Sequence, residues 1–182
     1  MSLSSVRVES GPQNMTIYHD WNVPENLHKE SENLGWVPHV TRRFFLRNSA
    51  ELKKVQGTCS VSSESSELLR QASKRAKLIN PTLVKGFDKD VGLVRTVAER
   101  GGYFEIPLRP LLHAWGVPRA IQLQRMRDFF KLAFKLKALV VFSSQAESGY
   151  DLKSPFEVLA MWQEFGMTRE QAVAALGRTV DA

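Results

Sequence analysis

The sequence predicts an α/β fold, a reduced or distorted TIM-like (β/α) barrel in a single domain. Three observations predict it. Apolar segments of strand character alternate with segments of helical spacing from residue 16 almost to the end, and such alternation implies parallel strands with helices outside. About six strands can be counted, fewer than the eight of a complete barrel. The 182 residues also fall short of the roughly 250 that a complete barrel uses. An open, doubly wound sheet is the alternative that the same pattern allows.

The elements follow in order. Residues 16–22 read as a short strand, and Pro24 suits the first turn of a helical stretch that ends at Gly35. Residues 37–46 are apolar and aromatic, are broken by Pro38, and contain a strand. Asn48 with Glu51 resembles a loose capping box opening a short helix to Gln56. Residues 58–62 form a strand, and Leu68, Leu69, Ala72 and Ala76 set a helical period over 65–77. A strand over 81–87, a helix over 91–100, the Gly101-Gly102 break and a strand over 103–108 come next. The longest helix is predicted over 118–137, where Leu123, Met126, Phe129, Phe130, Ala133, Phe134 and Leu136 share one face that must pack on a core. Leu139–Ser143 reads as a buried strand. Ser154, Pro155 and Glu157 then supply an N-cap, a first-turn proline and an N3 acid, and Thr168 with Gln171 repeats the box for a final helix ending at Gly177.

Composition narrows the function. There are 25 basic and 19 acidic residues, a net charge of +6, and a basic surface attracts polyanions such as RNA. Cys59 is the sole cysteine, which excludes an internal disulfide and a Cys-rich zinc site. No apolar run is long enough to span a bilayer, and the Ser-rich first 14 residues lack the apolar stretch of a signal peptide. These features predict a cytoplasmic protein, no membrane partner, a flexible tail over 1–14 and one domain over 15–182. Phosphate-binding glycine loops and the nucleophile elbow are absent from the sequence.

Several residues could carry chemistry. His19-Asp20 closes the first strand, and His39 and Glu105 stand at comparable positions. A metal-dependent phosphoesterase would need more convergent ligands than these, so simple hydrogen bonding is the plainer role for the histidines. Arg109, flanked by proline after a buried strand, suits either a phosphate or an internal carboxylate such as Glu105. Ser143 and Ser144 close a strand at what would be the functional face of a barrel. Lys153 precedes a helix N-terminus, as an anion site or as a solvated lysine. Arg127, Lys131 and Lys135 recur every four residues opposite the apolar arc, with Arg125 and Lys137 beside them and Asp128 as the nearby acid. That stripe is either a solvated face or an RNA backbone contact. Arg42, Arg43 and Arg47 interleave with Phe44 and Phe45, which read as core more readily than as base-stacking platforms.

Beyond these local readings, Phe104-Glu105-Ile106-Pro107-Leu108-Arg109-Pro110-Leu111-Leu112, Ser143-Ser144-Gln145-Ala146-Glu147, Asp151-Leu152-Lys153-Ser154-Pro155-Phe156-Glu157-Val158 and Gly166-Met167 recur in order and spacing in one family. On them the chain resembles the archaeal ribonuclease P protein component 3 family, the thirty-kilodalton-type ribonuclease P subunit. Tyr18-His19-Asp20-Trp21-Asn22-Val23-Pro24, Leu34-Gly35-Trp36 and the helix around Leu68-Leu69-Arg70 extend the likeness upstream. The resemblance implies a barrel related to metal-dependent phosphoesterases but without their metal ligands. It implies a protein subunit that assists RNA-catalysed removal of the 5′ leader from precursor tRNA. Its partners would be ribonuclease P RNA and ribonuclease P protein component 2, with precursor tRNA met indirectly. No catalytic residue, cofactor or metal would belong to this chain, and Mg²⁺ would sit at the RNA active site. Arg109, Arg127, Lys131, Lys135 and Lys153 are the expected RNA contacts, with Ser143 and Ser144 shaping the face. Lys153 stands where many relatives carry Arg, and the segment between Phe87 and Tyr103 is short for the family. The competing readings are a stand-alone metal-dependent phosphoesterase of barrel fold and a generic basic RNA-binding module.

Overall fold

Parallel strands make up both ladders of the computed structural model, which describes residues 16–180. The tail expected at 1–14 lies outside the described residues. Strands β1 (Tyr18–Asp20) and β2 (Trp36–Pro38) form one ladder. Strands β3 (Arg42–Leu46), β4 (Gly57–Ser63), β5 (Ala76–Asn80), β6 (Tyr103–Pro107) and β7 (Leu139–Ser143) form the other, in sequence order. Only residues 39–41 join β2 to β3, too few for a crossover helix. The chain from Trp36 to Leu46 is therefore one bent extended segment, paired first with β1 and then with β4. Counted so, six strand positions run around the barrel, the number the sequence predicts. At the closing seam the Trp21 N–H donates to the Phe142 carbonyl (3.3 Å). The order and the parallel sense make this a reduced, distorted TIM-like barrel.

Seven helices follow: α1 (His28–Asn33), α2 (Ser66–Ala72), α3 (Val91–Glu99), α4 (Arg109–Leu112), α5 (Gly116–Lys135), α6 (Pro155–Glu164) and α7 (Arg169–Leu176), among the described residues. Their apolar sides meet the outward residues of the strands. Phe104, Ile106, Val140 and Phe142 pack with Phe129, Phe130, Val158 and Trp162 in the larger core. Inward residues alternate with these, and Leu78, Tyr103 and Val141 join Trp21 and Val180 in a small interior cluster. Helix α7 packs on both β7 and β1 and covers the seam.

Two of the three predicted capping boxes are present. Ser154 N–H donates to the Glu157 carboxylate (2.8 Å) and Ser154 Oγ accepts the Glu157 N–H (3.4 Å). Thr168 and Gln171 exchange the same pair of bonds at 2.9 and 3.2 Å. The apolar arc of α5 also lands where its spacing places it, with Met126, Phe129, Phe130 and Ala133 buried.

Three expectations are corrected. The helix begun at Ser66 stops at Ala72, and the strand starts at Ala76, inside the predicted helix. The predicted strand over 81–87 is instead a turn leading to a 3-10 helix at Phe87–Lys89. The cause is local: Pro81 has no N–H to donate, and the Asn80 carboxamide oxygen accepts from both the N–H (3.0 Å) and Oγ1 (2.7 Å) of Thr82. The third lies at 49–54, a 3-10 helix in which Glu51 accepts from the Arg47 N–H (2.7 Å) rather than from Asn48.

Candidate nucleic-acid interface

Two polar nodes organise the C-terminal ends of the strands. The first is inside the barrel. Glu105 points inward from β6 and is fully buried. Its Oε1 accepts from Asn22 Nδ2 and from Gln145 Nε2, each at 3.1 Å, and its Oε2 accepts from Ser60 Oγ. Three separate segments thus converge on the carboxylate of a fourth. A glutamate in an apolar strand signals a buried polar node in the sequence, but its partners depend on strand order and could not be read there.

Next to it, Asp20 is also fully buried. Its Oδ1 accepts the N–H of Ser144 (2.8 Å) and of Asn22 (3.3 Å), while Oδ2 has no partner among the described residues. Burial pushes the Asp20 carboxyl up to about 6, against the lowering effect of its bonds with Ser144 and Asn22. His19 Nδ1 lies 2.9 Å from His39 Nε2, and the His39 ring stacks on Trp21 at 4.0 Å. Burial lowers the pKa of both histidines. The four residues of the metal reading do not assemble: no three His, Cys, Asp or Glu come together in a way that would hold an ion, among the described residues. The histidine pair is a hydrogen bond within an aromatic stack.

Asp20 makes a pH prediction. Its folded pKa lies above the ordinary carboxylate value, so ionisation destabilises the fold. That cost is absent below about pH 4, grows through pH 6, and reaches roughly 3 kcal/mol above it. Asp20→Asn keeps an acceptor for both N–H groups and removes the charge. The variant should melt at or above the wild type at pH 7.5, and at or below it at pH 4. The difference between the two melting curves reads the change at Asp20. Parallel curves from pH 4 to 8 would show that Asp20 is not held in this state.

The second node is at the rim. Arg109 Nη2 meets Glu147 Oε2 at 2.7 Å, and its Nε stands 3.4 Å from Asp151 Oδ2 as an ion pair. Asp151, itself buried, accepts from His113 Nε2 (2.6 Å) and from the N–H groups of Glu147 (3.0 Å) and Ser148 (3.2 Å). Of the two readings of Arg109, its internal partners are therefore Glu147 and Asp151, and Glu105 is not among them. Ser143 and Ser144 are buried. Their carbonyls accept the N–H groups of Leu108 (2.9 Å) and Arg109 (3.0 Å) and so set the start of α4. Lys153 Nζ donates to the carbonyls of Tyr150 (3.0 Å) and Leu152 (3.2 Å) and closes its own loop.

The stripe on α5 is real but uneven. Lys131 and Lys135 are exposed; Lys131 reaches Asp128 only at 3.8 Å with its side chain two-thirds exposed. Arg127 donates to the Glu164 carbonyl (2.9 Å) and ties α5 to α6. Lys137 lies past the helix end with positive φ, off the stripe. The structure thus separates the predicted RNA contacts: Arg109 and Lys153 sit on the rim of the barrel, and Lys131 and Lys135 on the outer helix. Phe44 packs against the core as expected, whereas Phe45 is 44% exposed and departs from that reading. Strand β3 is an outer strand of its ladder, and Phe45 faces inward where the wall is incomplete.

Against known proteins, residues 79–182 match the family model described as RNase P subunit p30, more than half of the chain. The chain belongs to the RNase P subunit p30 family. A family relative in Thermococcus gammatolerans, Ribonuclease P protein component 3, is 31% identical over 172 residues, spanning 86% of this chain and 76% of that protein. Ribonuclease P protein component 3 of Methanosarcina mazei is 38% identical over 114 residues, 58% of this chain. The chain spans about half the length of that relative (48%). Among solved structures, the fold superposes on a chain in the cryo-EM structure of archaeal Ribonuclease P with mature tRNA, with a TM-score of 0.64 and 19% identity over 86% of this chain and 74% of that one. The p30 match covers the rim node and α5.

Proposed function

We propose that this chain is a protein subunit of an RNA-based ribonuclease P, which assists removal of the 5′ leader from precursor tRNA without supplying the catalytic groups. The observation that carries this reading is the similarity to Ribonuclease P protein component 3 of Thermococcus gammatolerans along 86% of the chain. The histidines and carboxylates at the strand ends bond to each other and to amides, an arrangement that holds the fold together. The chain would bind the catalytic RNA together with component 2 in the cytoplasm, with Mg²⁺ held by the RNA. Lys131 and Lys135 would neutralise phosphates directly, and each such contact strengthens binding and its salt dependence. Arg109 and Lys153, already engaged within the protein, would present a shaped rim.

The test is leader cleavage of a precursor tRNA at limiting Mg²⁺, with cognate RNA and component 2, with and without the chain. Stimulation only in the full mixture is expected. Reversing charge at Lys131→Glu and Lys135→Glu together should weaken that stimulation by about ten-fold and flatten its salt dependence by about two contacts. Cleavage by the chain alone, abolished by a chelator, would overturn the reading in favour of a protein metal site.

A further inference from the structure

The open side of the barrel carries a recess that the reading above does not use. Arg43 and Phe45 face it from β3, Ser62 from β4 and Asn80 from β5; Leu83 and Gln145 also stand in its wall. Three properties select its ligand. Phe45 is a half-exposed aromatic ring, and Leu83 across the recess is half-exposed as well. Between them, hydroxyl groups and the Asn80 and Gln145 carboxamides, which both donate and accept hydrogen bonds, stand beside the apolar Phe44 and Pro110. The rim is cationic: Arg43 is exposed, and the Arg47 guanidinium stands 5.8 Å from the Phe45 ring. Arg42, Arg43 and Arg47 make no ion pair among the described residues. Ser60 and Gln145 also line the recess, and both are held in place by the buried Glu105 carboxylate behind them.

We propose that this recess binds one unstacked nucleotide of single-stranded RNA, its base against the Phe45 ring and its phosphate at Arg43. Charge sets the orientation. A phosphate is attracted by the exposed arginine rim, so the backbone stays there and the base enters. Exposed aromatics beside arginines, with amides to meet a base edge, are the chemistry of single-strand recognition. A duplex cannot use such a site, because its bases are already stacked. The proposal rests on the RNA-binding reading only for the choice of polyanion.

The experiment titrates the full chain into a short fluorescent oligoadenylate and, separately, into a fluorescent RNA duplex. Phe45→Ala should weaken single-strand binding about five- to a hundred-fold, and leave duplex binding within about two-fold. Phe45→Tyr, which keeps the ring, should restore the single-strand affinity. Arg43→Ala should lower the salt slope for the single strand by about one. Equal single-strand affinity for wild type and Phe45→Ala overturns the proposal, as does an equal loss on both RNAs or a failure of Phe45→Tyr to restore binding. The two readings fail separately. A chain that does not stimulate leader cleavage but shows Phe45-dependent single-strand binding keeps the recess and loses the subunit role. Stimulation with single-strand binding indifferent to Phe45 does the reverse.

Discussion

Glu105→Ala should destabilise the fold by about 3–5 kcal/mol, the largest effect expected of any single change at the strand ends. The residue is fully buried and its carboxylate is the shared acceptor for Asn22, Ser60 and Gln145. Truncation leaves three donors without an acceptor in a place that excludes bulk water, and each orphan costs about 1–3 kcal/mol before relaxation. For a chain of this size the melting temperature should fall by roughly 6–15 °C. Glu105→Gln should cost far less, because one oxygen still accepts and the Ser60 hydroxyl can turn to accept from the new amide. Thermal and urea melts of the two variants check this. A loss under about 1 kcal/mol for Glu105→Ala would mean that the three donors find other partners and that Glu105 does not organise the interior. The consequence for function is that the recess wall at Ser60 and Gln145 and the seam segment carrying Asn22 depend on one side chain.

Asp151→Ala should cost about 3 kcal/mol and loosen the chain between β7 and α6. Asp151 accepts from two backbone N–H groups and from His113, and pairs with Arg109. Burial alone would raise its pKa; the His113 bond and the N–H groups of Glu147 and Ser148 outweigh it and bring the carboxyl down to about 2. The linkage sign follows. A carboxylate with a depressed folded pKa stabilises the fold above its unfolded value near 4, and that stability, roughly 2 kcal/mol, is lost as pH falls from about 4 to 2. Asp151→Asn should therefore differ from the wild type at pH 7 and converge on it near pH 2. In Asp151→Ala the amides of Glu147 and Ser148 should exchange hydrogen much faster, while those of β7 stay protected. Unchanged exchange at both amides would show that the loop is held by something else. Arg109 and Lys153 flank this loop, so its loosening would also reach the rim proposed to face RNA.

Much of the fold was legible because its signals are local. The boxes at Ser154–Glu157 and Thr168–Gln171 close within four residues, and the apolar arc of α5 repeats within one helix, so neither depends on what lies across the molecule. Where two local signals competed, the reading slipped. Ala76 continues the helical spacing of Leu68, Leu69 and Ala72, yet it begins β5, because pairing with β4 and burial against the neighbouring strands outweigh a four-residue period. The same slip displaced the next strand onto residues 81–87, where Pro81 and the Asn80–Thr82 turn end β5 instead.

The site divides in the same way. Arg109 was legible as a fixed guanidinium, since proline and a buried strand restrain it from both sides; its partners Glu147 and Asp151 were not, since they arrive from the loop after β7. Phe44 and Phe45 look alike in sequence. Alternation sends Phe44 to the helical layer and Phe45 to the interior face, and only the incomplete wall beside β3 leaves the second ring exposed.

By itself, the sequence determined the α/β class, the helix starts, the apolar face of α5, the family motifs and the excess of positive charge, all of which are properties of short segments or of sums. The tertiary structure alone decided that Trp36 to Leu46 is shared between two ladders, that Glu105 gathers Asn22, Ser60 and Gln145, and that Phe45 overlooks an open recess. Each of these depends on which strands are neighbours and in what register, and a one-residue shift in register would turn every one of those side chains to the other face.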